Sequence, residues 1–262
     1  MNINFLILIG SLFGYTPSYQ SMIQEQYLKN IIICVDAGHG GQAPYNFIYN
    51  KNAYTGGTYG VCTKQTESDV NLRVSIYLKQ YLESMGAKVI MTRKNNCRIQ
   101  SSFDAKNELL IRPKIAKDNK ADLFISIHHN DSSNHNINYG MTFYNKMPES
   151  INLSSWISQQ LNQNMRVSSN GISQGNYAVL KYATMPAVLV EASFLTNPQE
   201  DCRLYTCCYN QIEAYSIAKG IAFYYMSKEL TGSALKPFVK DKSNTFNIKK
   251  PVKKSKKKKH KK

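Results

Sequence analysis

The sequence predicts an α/β fold: one domain with a mostly parallel sheet and helices packed over it. Three features carry this expectation. Residues 31–35 (IIICV), 87–92 (AKVIMT), 122–127 (DLFISI) and 187–190 (AVLV) are short apolar runs rich in β-branched residues, as strands covered on both faces require. Residues 66–86 and 209–229 repeat apolar side chains at helical spacing. A strand, a helix and a second strand in that order close a right-handed βαβ unit, which sets the two strands parallel. With 262 residues, 42% of them hydrophobic, the chain is long enough for one sizeable core.

Taken in order, residues 3–15 (INFLILIGSLFGY) are apolar but too short for a membrane-spanning helix, which needs about 20 residues. Their position suits the apolar part of a secretory signal, although no Lys or Arg precedes Lys29 and no A-x-A follows. A signal peptide or N-terminal anchor is therefore expected over residues 1–22, with the folded domain over 28–230. The expected location is an exported one: periplasmic, cell-wall associated or extracellular. Ile31 to Val35 form the first strand, which breaks into Asp36-Ala37-Gly38-His39-Gly40-Gly41. The flanking glycines let the backbone turn off the sheet and remove bulk around the imidazole. That turn lies at a strand's carboxyl end, where open α/β sheets place their ligands.

Residues 42–66 read as a long loop of Tyr, Asn and Gly. Thr66-Glu67-Ser68-Asp69 starts a helix that carries Val70, Val74, Leu78, Leu82 and Met85 at helical spacing, and Gly86 stops it. After the strand at 87–92, a helix is expected through Ile111 to Asn119, beginning or bending at Pro113. A strand from Asp122 then runs to His128-His129-Asn130. Gly140 to Tyr144 reads as a short strand, Leu153 to Met165 as a helix, and Ala187 to Val190 as a buried strand ending at Glu191. Tyr209 to Glu229 is the last helix, with Ala214, Ile217, Ala218, Ile221 and Tyr225 along one face.

From Thr231 the composition turns to Ser, Lys, Asn and Pro and ends in KKSKKKKHKK. Like-charge blocks repel, so 231–262 is expected to be a disordered lysine-rich tail. Of the formal charge of +16, the thirteen lysines and one aspartate of residues 236–262 supply +12 and leave +4 for the body. The basic balance thus belongs to the tail, and it suits an anionic surface polymer or membrane. The tail lacks interleaved aromatics to stack on bases, so no specific nucleic-acid partner is expected. The six cysteines form no short C-x-x-C metal pair. Cys34 reads as an inert core thiol. Cys62 with Cys97, or Cys202 with Cys207 or Cys208, are open disulfide pairings for an oxidising compartment.

Three residues suited to a metal stand at the edges of regular elements: His39 after one strand, Glu67 at a helix start, His128 after another strand. Two imidazoles and one carboxylate leave a fourth tetrahedral position open, the ligand count of catalytic rather than structural zinc. Taken singly, each has an ordinary explanation: a loop histidine, a first-turn carboxylate favoured by the helix dipole, a hydrogen-bonded strand end.

Four ordered blocks change that balance. VDAGHGG, TESD, LFISIHHN and AVLVEASFLTNP resemble the strand-G-H-G-G, E-x-D, S-I-H-x-N and V-E-x-x-F-x-x-N segments of the zinc-dependent N-acetylmuramoyl-L-alanine amidases, which cut bacterial peptidoglycan. The resemblance runs from about Ile31 to Tyr225. It implies a twisted mixed sheet flanked by helices on both faces and one Zn2+ ion. It further implies His39, Glu67 and His128 as the zinc ligands and Glu191 as the catalytic carboxylate. Ala37 replaces the family's usual proline, and Pro113 falls inside a family helix. The stretch from Tyr144 to Gly171 is short and lacks the inhibitory insertion that plugs the zinc site of some members.

His129 is the rival of His128. The S-I-H-x-N match selects His128, and the two-residue period of a strand turns His129 to the other side. His129 is then expected to face solvent or substrate, and His129 and Asn130 stand as substrate-side candidates. Glu191 ends an apolar strand, which is costly for a carboxylate unless it is paired or at work. Lys181 or Arg203 would be the partner of a structural Glu191. The functional reading makes it general base and acid beside the metal.

The implied activity is hydrolysis of the amide between the lactyl group of N-acetylmuramic acid and L-alanine, with peptidoglycan as the partner. Two other classes stay open at this point: a polybasic binding protein on a vestigial hydrolase fold, and a zinc peptidase that cuts stem peptides elsewhere.

Overall fold

The computed structural model describes residues 18–40, 56–96, 99, 105–229 and 240–242. The apolar run at 3–15 and Cys97 lie outside the described residues. Six strands, β1 (Ile32–Ala37), β2 (Lys88–Met91), β3 (Leu123–Asn130), β4 (Gly140–Tyr144), β5 (Ser169–Gln174) and β6 (Ala187–Phe194), make one sheet in the order β2-β1-β3-β6-β4-β5. β2, β1, β3 and β6 pair in parallel; β4 runs antiparallel to β6 and parallel to β5. The helices are α1 (Tyr19–Glu25), α2 (Glu67–Ser84), α3 (Ala105–Asp118), α4 (Pro148–Met165), α5 (Ala178–Lys181), α6 (Pro198–Leu204) and α7 (Cys207–Glu229). This is the mixed, mostly parallel sheet with helices on both faces that the resemblance implies.

Strand alternation sorts the residues between those faces. Ile33 and Val35 of β1, Leu123, Ile125 and Ile127 of β3, and Val188 and Val190 of β6 join one large apolar cluster with α1, α2, α4 and α7. Cys34, Phe124, Ala187 and Leu189 point the other way, into a smaller cluster with Ala116 of α3 and Val179 and Leu180 of α5. Cys34 is the buried core thiol expected, and burial pushes its pKa up. α2 begins where the sequence indicates, because the Thr66 side chain accepts the Asp69 N–H at 3.1 Å and caps the helix.

Several boundaries differ from expectation. α3 starts at Ala105 and holds Pro113 in its interior. The carbonyl that this proline deprives of a partner belongs to Leu109, a residue 45% exposed, where water can take the bond. β5 (SNGISQ) has little strand propensity of its own and forms by pairing with β4. The division at residue 22 falls inside α1. Met22 is fully buried in the large cluster, as is Leu28, whose N–H donates to the Met85 carbonyl at 3.0 Å. The folded body therefore reaches back to α1. Of the expected tail, 231–262, the described Lys240–Lys242 lies against β5 and pairs with Ile172, and the rest lies outside the described residues. Among the described residues, no helix is long and apolar enough to cross a membrane.

Candidate metal centre

The inward row of the thinly covered face ends in polar residues. Asp36 follows Cys34 on β1, His128 follows Phe124 and Ser126 on β3, and Glu191 follows Leu189 on β6, with His128 and Glu191 as register partners. Parallel neighbours in register share a face, so the imidazole and the carboxyl stand side by side at the carboxyl ends of their strands. His39 lies two residues beyond β1, and Glu67 is the first residue of α2.

His39, Glu67 and His128 converge. Glu67 Oε1 lies 3.1 Å from His39 Nε2 and 3.0 Å from His128 Nδ1, and accepts the His129 backbone N–H at 3.2 Å. The other oxygen, Oε2, accepts the Thr58 N–H at 3.1 Å. One donor atom from each of the three lies within 4.8 Å of the others. Burial alone would raise the Glu67 pKa. Hydrogen bonds and charge from His128 and His39 outweigh it and hold this carboxyl well below its usual value. Burial pushes the His128 imidazole down, against the pull of Glu67, and so favours the neutral form that binds metals.

Two glycines make the cluster possible. A Cβ on Gly38 would lie 2.3 Å from His128 Nε2, and one on Gly57 would lie 2.2 Å from Glu67 Oε2. Gly57 also has φ +75°, a conformation that side chains resist. The glycines beside His39 were expected to carry the turn, yet the left-handed residue is His39 itself, at φ +60°. Such a conformation costs about 1–3 kcal/mol unless its surroundings impose it. Here two buried guanidiniums impose it. Arg93 donates to the carbonyls of Ala37 (2.8 Å), Gly38 (2.9 Å) and Ser68 (2.8 Å). Arg112 donates to those of Ala37 (2.9 Å) and His39 (2.6 Å) and to Asp36 Oδ1 (2.7 Å). Burial, then the neighbouring Arg112, lowers the Arg93 pKa to about 10, so the guanidinium stays charged at neutral pH.

His129 corrects the expectation made for it. It does turn away from His128, but the other side of β3 is the face under α2 and α7. Its Nδ1 lies 2.8 Å from Asn71 Oδ1 and its Nε2 3.0 Å from Glu213 Oε2, and both His129 and Glu213 side chains are fully buried. Burial would lower the His129 pKa; the Glu213 charge and hydrogen bond outweigh that and raise it. His129 is thus held between Asn71 and Glu213 inside the body and presents no side chain to substrate. Asn130 does line the cavity, and its Oδ1 accepts the Asp131 N–H at 2.9 Å.

That cavity measures about 790 Å3 and brings together His39, Glu67, His128, Glu191, Tyr177 and Arg112. Glu191 is 9% exposed, and its Oε2 is buried without a hydrogen-bond partner among the described residues. Neither cation considered for it arrives: Arg203 pairs with Glu200 at 2.9 Å, and Lys181 lies over the Tyr182 ring. Burial first, then the Glu67 and Asp131 charges, raise its pKa well above the usual carboxyl value. An orphaned carboxyl oxygen beside two imidazoles that crowd one carboxylate oxygen is a set of electron-pair donors short of a positive charge. These residues fit a metal ion.

The sequence alone did not mark Asn71, Arg93, Arg112 or Glu213 as part of this site. Asn71 had a signal, since it follows Glu67 by four residues on a helix and so shares its face. Arg112, within a helix expected to pack on the sheet, was a second. Glu213 had none, because its partner lies 84 residues away.

Residues 33–222 match the family model described as N-acetylmuramoyl-L-alanine amidase. The amidase LytC of Bacillus subtilis (strain 168) is 29% identical over 85% of this chain and 40% of its own. The germination-specific N-acetylmuramoyl-L-alanine amidase of the same strain is 31% identical over 77% of this chain and 82% of its own. The chain spans 40% to 64% of the length of the first curated relatives it matches. Among solved structures, the catalytic domain of CwlV from Bacillus (Paenibacillus) polymyxa var. colistinus superposes with TM-score 0.62 at 28% identity, covering 74% of this chain and 97% of that one. The amidase of Clostridium difficile 630 gives TM-score 0.64 at 26% identity, over 76% and 98%. Over its sheet, its helices and the strand ends that gather His39, Glu67, His128 and Glu191, this chain belongs to the N-acetylmuramoyl-L-alanine amidase family.

Proposed function

We propose that this protein hydrolyses the amide between N-acetylmuramic acid and L-alanine in peptidoglycan, with one Zn2+ ion held by His39, Glu67 and His128. The observation that carries this reading is the convergence of two imidazoles and a carboxylate at one end of a cavity lined by Glu191, whose Oε2 has no partner among the described residues. The ligand count leaves a coordination position open to water or substrate. A bound Zn2+ supplies a Lewis acid that polarises the scissile carbonyl and makes water easier to deprotonate.

The protein's own groups do the rest. Glu191 takes a proton from the attacking water as its oxygen adds to the carbonyl carbon. It returns that proton to the leaving nitrogen as the C–N bond breaks. Burial and the Glu67 charge raise its pKa, which suits the second step, and a Zn2+ ion held by His39, Glu67 and His128 would favour the ionised carboxyl that the first step needs. Arg93 and Arg112 hold the Ala37–His39 carbonyls and so the position of the His39 imidazole. Asn130 and Tyr177 line the wall against which substrate would lie.

The family acts on a wall polymer, which favours an exported, wall-associated location, and the lysine-rich C-terminal segment suits anionic polymers or membrane surfaces there. The test is digestion of purified peptidoglycan by zinc-loaded protein, with products read by mass spectrometry. Stem peptides with a free L-alanine amine, alongside glycan bearing intact lactyl carboxyls, are expected. Cuts within the stem would replace this reading with a peptidase, and no cleavage at all would leave only a binding protein.

A further inference from the structure

Glu67 is seated by the segment that precedes it. The Thr58 carbonyl accepts the Glu67 N–H at 2.8 Å, the Thr58 N–H donates to Glu67 Oε2 at 3.1 Å, and the Ser68 N–H donates to the Gly56 carbonyl at 3.0 Å. The far end of this segment is clasped to α6 by one buried carboxylate. Asp201 Oδ2 accepts the N–H groups of Cys62 (2.7 Å) and Thr63 (2.8 Å), and Oδ1 accepts the Thr63 hydroxyl and the Gln65 amide (2.8 Å). Gly60 lets the carboxylate in, since a Cβ there would lie 2.0 Å from Asp201 Oδ1.

The clasp carries a pair of thiols. Cys62 donates its N–H to Asp201, and Cys202 follows Asp201 in the chain, so the two side chains leave adjoining points. They share a hydrogen bond, and both residues are exposed. A disulfide needs cysteines whose backbones already approach and whose side chains face each other. Cys207 and Cys208 are chain neighbours with sulfurs 3.9 Å apart, and Cys34 is buried. A bond between neighbours closes almost no chain, whereas one from Cys62 to Cys202 closes a long loop, the case in which a cross-link restrains the unfolded chain most.

We propose that Cys62 and Cys202 form a disulfide that locks the segment 56–65, and with it the seat of Glu67, onto α6. The bond forms by thiol–disulfide exchange. One cysteine gives its proton to solvent, and its thiolate attacks a low-molecular-weight disulfide; half of that molecule leaves as a thiolate and takes up a proton. The second cysteine, deprotonated in turn, displaces the other half from the mixed disulfide. Two protein thiols are oxidised and one small disulfide is reduced to two thiols. In the cell the bond rests on the exported location proposed above, which provides an oxidising compartment.

The test treats the zinc-loaded full-length protein with oxidised glutathione, beside a portion kept reduced by a phosphine. Supplying the oxidant in vitro separates the bond from the question of location. Tryptic peptides mapped by mass spectrometry without reduction should join Cys62 to Cys202; cleavage after Arg203 puts Cys207 and Cys208 on another peptide. The oxidised form should melt roughly 5 to 10 °C higher. The Cys62 and Thr63 amides, which the clasp holds, should exchange about tenfold more slowly or better. Cys62→Ser should keep the melting temperature of the reduced protein and lose both responses to oxidation. Cys62 and Cys202 recovered as thiols or glutathione adducts, or either joined to a different cysteine, would overturn the bond. A mapped Cys62–Cys202 bond with unchanged exchange at Cys62 and Thr63 would overturn the lock.

Discussion

The two faces of one sheet are finished to different degrees. On the first, α2, α4 and α7 lie side by side over β1, β3 and β6, and Leu78, Ile157, Ile217 and Ile221 are fully buried. On the second, among the described residues, α3 and the four-residue α5 cover the strands, and a cavity of about 790 Å3 lies beside them. The same strands feed both: β3 alternates Ile125 and Ile127 toward the first face with Phe124, Ser126 and His128 toward the second. The chemistry collects where the covering layer stops. Water and substrate can reach strand-end carboxyl and imidazole groups there, while the complete face holds the fold together.

The largest expected break of this division is at Glu191. Glu191→Gln should retain melting temperature and bound metal but lose about 10² to 10⁴ in turnover of peptidoglycan fragments. That equals roughly 3 to 5.5 kcal/mol of barrier. Near-normal turnover per bound zinc would remove Glu191 from the chemistry. Next are the adjacent histidines, which should fail in opposite ways. His128→Ala should lose tight zinc binding while staying folded, and His129→Ala should strand Glu213 and lose about 3–5 kcal/mol of stability. Zinc content measured beside urea unfolding separates the two.

The packed face is sharpened by Leu78→Ala, expected to cost about 2–5 kcal/mol with turnover of the folded fraction unchanged. Val179→Ala on the open face should cost only about 1–2 kcal/mol. Equal losses would mean that the faces share the stability evenly.

A smaller effect should appear in acid. Burial would raise the Asp36 pKa, but the Arg112 charge and hydrogen bonds from Ser126 and Thr92 outweigh it and hold this carboxyl below its usual 3.8. A depressed carboxyl stabilises the folded state fully above its unfolded value and loses that contribution as pH falls through the folded one. Unfolding measured below pH 4 should therefore show stability declining, with a shallower decline in Asp36→Asn. The smallest effect belongs to deletion of residues 243–262, which leaves Lys240–Lys242 against β5. Turnover of soluble fragments should stay within about twofold, while retention on whole sacculi should weaken and become less sensitive to salt.

Much of the fold was legible because its signals are local. The cap at Thr66, the runs at β1, β3 and β6, and the stripe of α2 each announce an element without reference to the rest. Of the centre, His39, Glu67 and His128 were legible through motif order, since each sits where a regular element begins or ends. What escaped depends on distant partners. Glu213 meets His129 across 84 residues, and Asp201 gathers Thr63 and Gln65 from 138 and 136 residues away. β5 is a strand only because β4 and Lys240–Lys242 flank it. The reading of His129 failed for a related reason: period two tells that neighbours face apart, but not which side the helices will cover.

The doubled histidine at the end of β3 also carries a hazard for folding. Sliding β3 by one residue against β1 and β6 would bring His129 beside His39 and Glu67 and turn His128 toward α7, so an imidazole would be offered to the candidate metal site in either alignment. Metal capture by itself discriminates poorly between them. The apolar rows and Asp36 must do so, because the slip would drive Phe124 and Ser126 under the helices, expose Ile125 and Ile127 to the cavity, and part the Ser126 hydroxyl from Asp36 Oδ2, now 2.7 Å away. In this protein a buried aspartate and the alternating Leu123, Ile125 and Ile127 side chains decide which of two chemically similar neighbours faces His39 and Glu67.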